Sequence, residues 1–384
     1  MTDNESRKII IFGAGKIGRS FIGQLFSRSG YEVVFVDIDS KLIGELNRRK
    51  EYKVIIKSEA DDQILAIKNI RGILLEDSKN VTREMISTSL VALSVGQQGL
   101  RMAIPVIAKA LSERRRRIGE QPIDFIIAEN MRDSDKFLKK ELSRYLPSDY
   151  PLNRLIGLAE TSIGKMVPIM SQKDILEDPL QVFAEPYNTL IVARKAFKNP
   201  VPEVNDLEAK DNIKAWVDRK LFIHNLGHAT AAYLGFREHP GSEYIYQVLD
   251  DPGILEATRQ TMLQSADILM ALHQGEFTVS QLTAHIDDLL HRFRNRALGD
   301  TVFRVGCDLY RKLSPSDRLV APLKAAIQFS KPYDLILESL HAALSFRAKD
   351  EQGNYLPADE RFFAEQRLGT SHIFKNVCKL SLPE

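Results

Sequence analysis

Short apolar runs rich in β-branched residues recur through the first half of the chain, separated by stretches with helical spacing. Ile9 to Phe12 is the first run, and it predicts a strand buried on both faces. Ile17, Phe21, Ile22 and Leu25 follow at helical spacing, and Gly30 closes that helix. "EVVFVD" then predicts a second buried strand ending at Asp37. "SLVALSVG" (89–96) and "DFIIAEN" (124–130) predict two more, and strand-like runs near 155–163 and 181–192 extend the series. Strands alternating with helices predict an α/β domain with a doubly wound sheet of Rossmann type. "KAFKNPVPEVND" (195–206), polar and with two prolines, reads as a connection. Beyond it the apolar positions keep helical spacing, as in "ILEATRQTMLQSADILMALH" and "LVAPLKAAIQFS". The expected division is a dinucleotide-binding domain at 1–204 and a mostly α-helical C-terminal domain at 205–384. A helical domain against such a sheet leaves a cleft, where sites gather.

Composition narrows the partners. With 384 residues, 44% of them apolar, the chain can bury two sizeable cores. Its 53 basic and 51 acidic residues leave a net charge of +2, too little to attract nucleic acid or an anionic membrane. The run "ERRRR" (113–117) reads as the solvated end of a helix or, alternatively, as a phosphate-backbone contact. No apolar run approaches the roughly 18 residues of a membrane span. The N-terminus lacks the basic-then-apolar order of a secretory signal. Cys307 and Cys378 show no metal-ligand spacing and read as free thiols in a reducing compartment. These features predict a soluble, cytoplasmic protein acting on a small molecule.

Two segments carry candidate chemistry. Gly13, Gly15 and Gly18 form GxGxxG between the first strand and its helix. Gly13 permits the tight turn, Gly15 lets backbone approach a pyrophosphate, and Gly18 lets the helix pack closely. The helix N-terminus offers unpaired N–H groups to the phosphates. Asp37 stands where a carboxylate accepts from the adenosine ribose and repels a 2′-phosphate, so NAD is the expected cofactor. Its expected contacts are Gly13, Ala14, Gly15, Lys16, Ile17, Gly18, Asp37, Val95 and Gly96. Asn130, at a strand's carboxyl end, reads equally as a substrate contact or as the N-cap of "MRDSDKFLKKEL".

The second segment is "RKLFIHNLGHATAAYLG" (219–235). At about 100° per residue, with Lys220 at zero, His224 falls near 40°, His228 near 80° and Asn225 near 140°. Phe222, Ile223 and Leu226 fall opposite. A solvated helix face would explain the polar side, but a dinucleotide site upstream gives it another use. A nicotinamide dehydrogenase needs a proton acceptor at the carbinol oxygen and donors to the developing alkoxide. Lysine serves as that base when desolvation lowers its pKa. Metal-assisted oxidation would need a Cys-rich or HExxH-type cluster, which the sequence does not contain.

The spacing K-x4-N-x2-H of Lys220, Asn225 and His228 resembles the signature of the polyol-specific long-chain dehydrogenases. "IFGAGKIGRSFIGQLF", "IIAENM" and "RFRNRALGDTVFRVGCDLYRKLSPSDRL" (292–319) resemble three further blocks of that family, so the likeness spans nearly the whole chain. It is closest to members acting on hexitol phosphates. The resemblance implies a metal-independent oxidoreductase interconverting a hexitol phosphate and a ketohexose phosphate, mannitol 1-phosphate and fructose 6-phosphate. Lys220 would be the general base, Asn130 and Asn225 would hold the reacting oxygen, and His228 would bind neighbouring hydroxyls. His224, Arg311, Lys312 and Arg318 would contact substrate. A monomer or small homo-oligomer is implied. The chain departs from the family pattern at Glu160, Gly164, Lys165, Thr189, Leu190 and Arg296. Those departures keep open an unphosphorylated polyol or an aldonate (mannitol, altronate or mannonate type). A catalytically silent NAD(H)-binding sensor is the reading from another class.

Overall fold

The computed structural model describes residues 7–58 and 61–380. The chain forms two compact units that divide between Ile213 and Lys214.

In the first unit the strands are β1 (Lys8–Phe12), β2 (Glu32–Asp37), β3 (Tyr52–Ile56), β4 (Gln63–Ile67), β5 (Ile70–Leu74), β6 (Leu90–Leu93), β7 (Ile123–Ile127), β8 (Ile156–Ile163), β9 (Val182–Ala184), β10 (Leu190–Ala193) and β11 (Leu207–Lys210). Eight of them build one sheet in the order β11-β10-β8-β7-β6-β1-β2-β5. The neighbours from β5 to β8 are all parallel. β10 runs antiparallel to β8, and β11 parallel to β10. Pairing Ile9 with Val33 and Ile10 with Val34 puts alternate residues of β1 and β2 on the same faces. Ile9, Ile11, Val33 and Phe35 pack with Phe21, Ile22 and Leu25 on one face. Ile10, Phe12, Val34 and Val36 pack with Ile104, Ile107 and Leu111 on the other. Both faces are buried, so the strands carry apolar runs rather than alternation, and the doubly wound sheet expected from the sequence is present.

Two features depart from the expected pattern. The run near 181–192 is two strands in two sheets: β9 pairs with β3 in a small β4-β3-β9 sheet, while β10 joins the large one. The segment 186–189 between them breaks the run. The connection at 195–206 is followed by β11, a strand in a stretch read as helical, which pairs with β10 before the chain leaves the first unit.

The second unit is helical. Among its described residues, extended pairing is limited to one antiparallel bridge, Tyr244 with Thr301. Its central element, Leu226–Glu238, is buried at every residue from Ala229 to Gly235. A Cβ at Gly227 would lie 2.4 Å from the Met262 sulfur, and one at Gly235 would lie 2.6 Å from Val248. Those glycines bring Pro252–Leu272 and Ile245–Leu249 close to it. Tyr233 donates to the Gly306 carbonyl at 3.0 Å and Thr230 to Ser339 Oγ at 3.2 Å, satisfying its two buried hydroxyls. The helix is thus a fixed base for the polar residues at its N-terminal end.

Candidate active site

The glycine turn follows β1, where the strand order reverses, since β1 lies between β2 and β6. Ligands collect at such switch points. Gly13 has φ +99°, and a Cβ there would lie 2.1 Å from the Ser94 carbonyl oxygen. A Cβ at Gly18 would lie 2.0 Å from the Gly13 carbonyl oxygen. By contrast, the Cβ position of Gly15 has no atom within 4 Å. Two glycines are required by packing, and the middle one leaves open space. A cleft of about 310 Å³ adjoins the turn, lined by Gly13, Gly15, Asp37, Ile38, Val95 and Met102. Ile38 and Met102 are exposed apolar side chains there, 63% and 47% accessible. The Asp37 carboxylate accepts from the Ala14 N–H at 2.7 Å and from the Asp39 N–H at 3.1 Å. Arg19 is buried and holds the turn from behind: its Nε donates to the Ala14 carbonyl at 2.7 Å, and the guanidinium reaches the Leu180 carbonyl.

Past β7 the structure separates two readings of Asn130. The next helix is Ser134–Ser143, with Asp133 at its N-cap position, so Asn130 is not the cap. It lies exposed just beyond a strand's carboxyl end. Its neighbour Glu129 accepts from the backbone N–H groups of Val95 (2.7 Å) and Gly96 (3.0 Å), the start of the helix Gly96–Ile118. Burial raises the Glu129 carboxyl, and those two bonds oppose the rise. The N–H groups of Val95 and Gly96 are therefore directed at Glu129, while the Val95 side chain lines the cleft.

In the second unit, Lys220–Asn225 is a π-helical turn between Ile213–Arg219 and Leu226–Glu238. The wider turn breaks the 100° count, and Leu221, Phe222, Ile223 and His224 are all buried. The amphipathic face expected from the sequence is replaced by a polar cluster inside the unit. Lys220 is half-buried, and burial, followed by the Arg318 charge, lowers its amine to about 8. His224 and His228 lie well below the ordinary imidazole range, again by burial first. Arg292 is the next largest influence on His224, and Arg304 on His228. The His228 ring stacks on Phe293, with centroids 4.5 Å apart and planes 7° apart. The His224 ring lies 6.3 Å from His228 and 5.5 Å from Phe293.

The three cations expected to meet a phosphate have separate surroundings. Arg311 is exposed and pairs with Asp308 (2.5 Å) and Asp317 (3.3 Å). Lys312 is buried and donates to the carbonyls of Val305 (2.5 Å) and Arg304 (3.4 Å), and burial lowers it to about 7. Arg318 is buried beside Asp317 at 2.9 Å, and its charge acts on both Lys220 and His228. Arg292, Phe293, Asp300 and Arg304 surround His228 as well, and sequence reasoning did not single them out. The pair Asp300 and Arg304, at i and i+4, looks in sequence like any helix-surface ion pair.

Other sequence signals resolve into structural roles. Within the basic run, Arg114 is buried on the carbonyls of Met85 and Ile86, Arg115 pairs with Asp149, and Arg116 and Arg117 pair with Glu113. Among the family departures, Lys165 is buried and donates to the carbonyls of Glu185 (3.0 Å) and Tyr187 (2.7 Å) and to Asn188 Oδ1 (3.0 Å). Glu160 is buried in β8, Leu190 is buried in β10, and Arg296 reaches Asp250 at 3.4 Å. Both cysteines are free. Among the described residues no three His, Cys, Asp or Glu side chains gather as a metal site, and no helix is long and apolar enough to cross a membrane.

Comparison with known proteins matches this arrangement in both units. Residues 7–206 match the family model of the mannitol dehydrogenase Rossmann domain, and residues 212–378 match that of the mannitol dehydrogenase C-terminal domain. Pseudomonas fluorescens mannitol 2-dehydrogenase, solved as a ternary complex with NAD and D-mannitol, is similar with a TM-score of 0.75 and 16% identity. That match covers 97% of this chain and 88% of the other. A D-sorbitol dehydrogenase in substrate-free form is similar with a TM-score of 0.80 and 17% identity, over 95% of this chain and 86% of the other. At these identities the two structures establish a shared fold.

Proposed function

The chain belongs to the mannitol dehydrogenase family, and from that premise we propose that it is an NAD-dependent dehydrogenase of a hexitol phosphate and its ketohexose phosphate, with Lys220 as general base. The observation that carries the reading is the half-buried Lys220 amine in the polar π turn, lowered to about 8 by burial and then by the Arg318 charge. An amine so placed is neutral in a useful fraction near neutral pH and can take a hydroxyl proton.

The first unit suits NAD. The open space at Gly15, the cleft at the turn and the Asp37 carboxylate fit a dinucleotide. Gly13 to Gly18 would hold the pyrophosphate, Asp37 the ribose, and Val95 a wall of the cleft. Bound NAD supplies the hydride acceptor. The rest falls to side chains. Lys220 accepts the hydroxyl proton as the carbinol becomes a carbonyl, and returns it in reduction. The Asn225 amide donates to the same oxygen as negative charge develops there. His228, kept neutral by burial and then by the cations around it, hydrogen-bonds a neighbouring hydroxyl. Asn130 is the first unit's candidate donor to a substrate oxygen. Arg292, Arg304 and Arg318 all act on His228, and each is paired with a carboxylate, on Asp288, Asp300 and Asp317 respectively.

A second reading has its own support. Arg311 is held by two carboxylates and Lys312 by two carbonyls, so neither offers a bare cation to a phosphate. An unphosphorylated polyol or an aldonate would suit that state. A panel of hexitol phosphates, hexitols and aldonates with NAD, ranked by kcat/KM, separates the readings. Hexitol phosphates are expected to rank first. First rank for a hexitol or an aldonate would overturn the phosphate assignment. Tight NADH binding without turnover on any sugar would leave a sensor, not an enzyme.

Asp37→Ala is expected to narrow the preference for NAD over NADP by roughly 10- to 100-fold in kcat/KM, because a like charge against the 2′-phosphate is removed. NAD itself should bind more weakly too, since the carboxylate holds the Ala14 N–H. Unchanged discrimination would show that another group reads the ribose.

A further inference from the structure

Among the described residues, His228 Nε2 and Asp300 Oδ2 are both buried and both lack a hydrogen-bond partner, yet they lie 3.3 Å apart. Neither side chain has much freedom to turn away. The imidazole is stacked on Phe293, which fixes its plane. Asp300 is anchored through its backbone: its carbonyl accepts from the Ile245 N–H at 2.9 Å, beside the Tyr244–Thr301 bridge. Its other carboxylate oxygen meets the Arg304 guanidinium one helical turn on. That leaves Oδ2 facing a ring nitrogen in a buried setting. Two lone pairs facing each other there would repel, whereas an N–H directed at the carboxylate closes both unmet bonds.

We propose that Asp300 is a positioning residue that holds His228 in the Nε2–H tautomer, leaving Nδ1 as a hydrogen-bond acceptor for a substrate hydroxyl. The part concerning substrate rests on the reading that this segment binds a polyol. Burial first, and then Arg304, Arg318, Lys312 and Arg292, disfavour a proton on the ring, so the imidazole stays neutral and Nδ1 keeps its lone pair. An acceptor at that point takes a hydroxyl and turns away a carbonyl, a carboxylate or a phosphate. His228 then reads the hydroxyl next to the reacting carbon, and the anionic end of a substrate lies elsewhere. The carboxylate acts at one remove, as in other imidazole–carboxylate pairs whose Asp fixes the tautomer.

The test uses the full chain without ligand. With ¹⁵N-histidine labelling and H228Q to assign the resonances, wild-type His228 is expected to show a protonated Nε2 and an unprotonated Nδ1. D300E should keep that pattern, and D300N, whose amide can donate to the ring, should invert or mix it. An Nδ1–H tautomer in the wild type, or ring resonances unchanged in D300N, would overturn the proposal. If D300N does not fold, the wild-type and D300E spectra still decide. In kinetics, D300N is expected to lower kcat/KM for a polyol by roughly 10- to 100-fold, the scale of one lost hydrogen bond to a buried group. The loss should shrink for a substrate lacking the neighbouring hydroxyl, which a merely structural defect would not produce. Absence of polyol turnover in the wild type would sink the functional reading, while the tautomer measurement stands by itself.

Discussion

Lys220→Ala is expected to lower turnover by roughly 10³-fold, the scale of a lost general acid–base group, while NADH binding stays near the wild-type value. The variant separates the two units' tasks, because the glycine turn lies in the first and Lys220 in the second. The pH profile gives the sign. With the amine lowered from its ordinary value to about 8, the neutral form grows as pH rises. Oxidation should therefore climb with pH and level off above about 8, and reduction, which needs the ammonium, should decline over the same range. Stopped-flow and steady-state rates in both directions, with NADH fluorescence for binding, provide the check. Near-normal rates in Lys220→Ala, or an oxidation profile that falls through this range, would remove Lys220 from the base's role.

Gly13→Ala is the second large effect. The substitution would place a Cβ 2.1 Å from the Ser94 carbonyl oxygen at a φ of +99°. Backbone strain of about 1–3 kcal/mol adds to an overpacking cost of about 1–3 kcal/mol. A marked fall in Tm and loss of NADH binding are expected together. Gly15→Ala should behave differently. Its Cβ would meet nothing within 4 Å, and its φ is not positive, so Tm should barely move. The methyl would still occupy the space a pyrophosphate needs, and NADH affinity should fall. If Gly15→Ala binds NADH normally, the turn does not approach a dinucleotide at that glycine.

Much of the first unit is legible in its residues because parallel strands buried on both faces must be written as unbroken apolar runs. Ile9–Phe12, the three glycines and the strand ending at Asp37 leave few alternative arrangements. The small sheet is harder to foresee. Tyr52–Ile56 and Gln63–Ile67 are short runs with an exposed edge, and their third partner, Val182–Ala184, comes from a distant segment. The run near 181–192 shows the limit of local reading, since nothing in it tells that its two halves join different sheets. At Lys220–Asn225 the residue types pointed to chemistry, but the geometry did not follow from a helical wheel, because a π turn leaves no periodic signature. Asp300 and Arg304 escaped notice for a related reason: their importance lies in what Asp300 faces, and only the packing of His228 on Phe293 brings that into view.

The widened turn has a consequence for how this segment tolerates change in length. It acts as one surplus residue spliced into an otherwise ordinary cylinder. Excising that surplus would restore regular winding, and everything upstream would swivel by about 100° relative to His228. The amine would then point along a different bearing even though every side chain were retained. At Lys220–Asn225 a change in length therefore disturbs the segment more than a change of residue does.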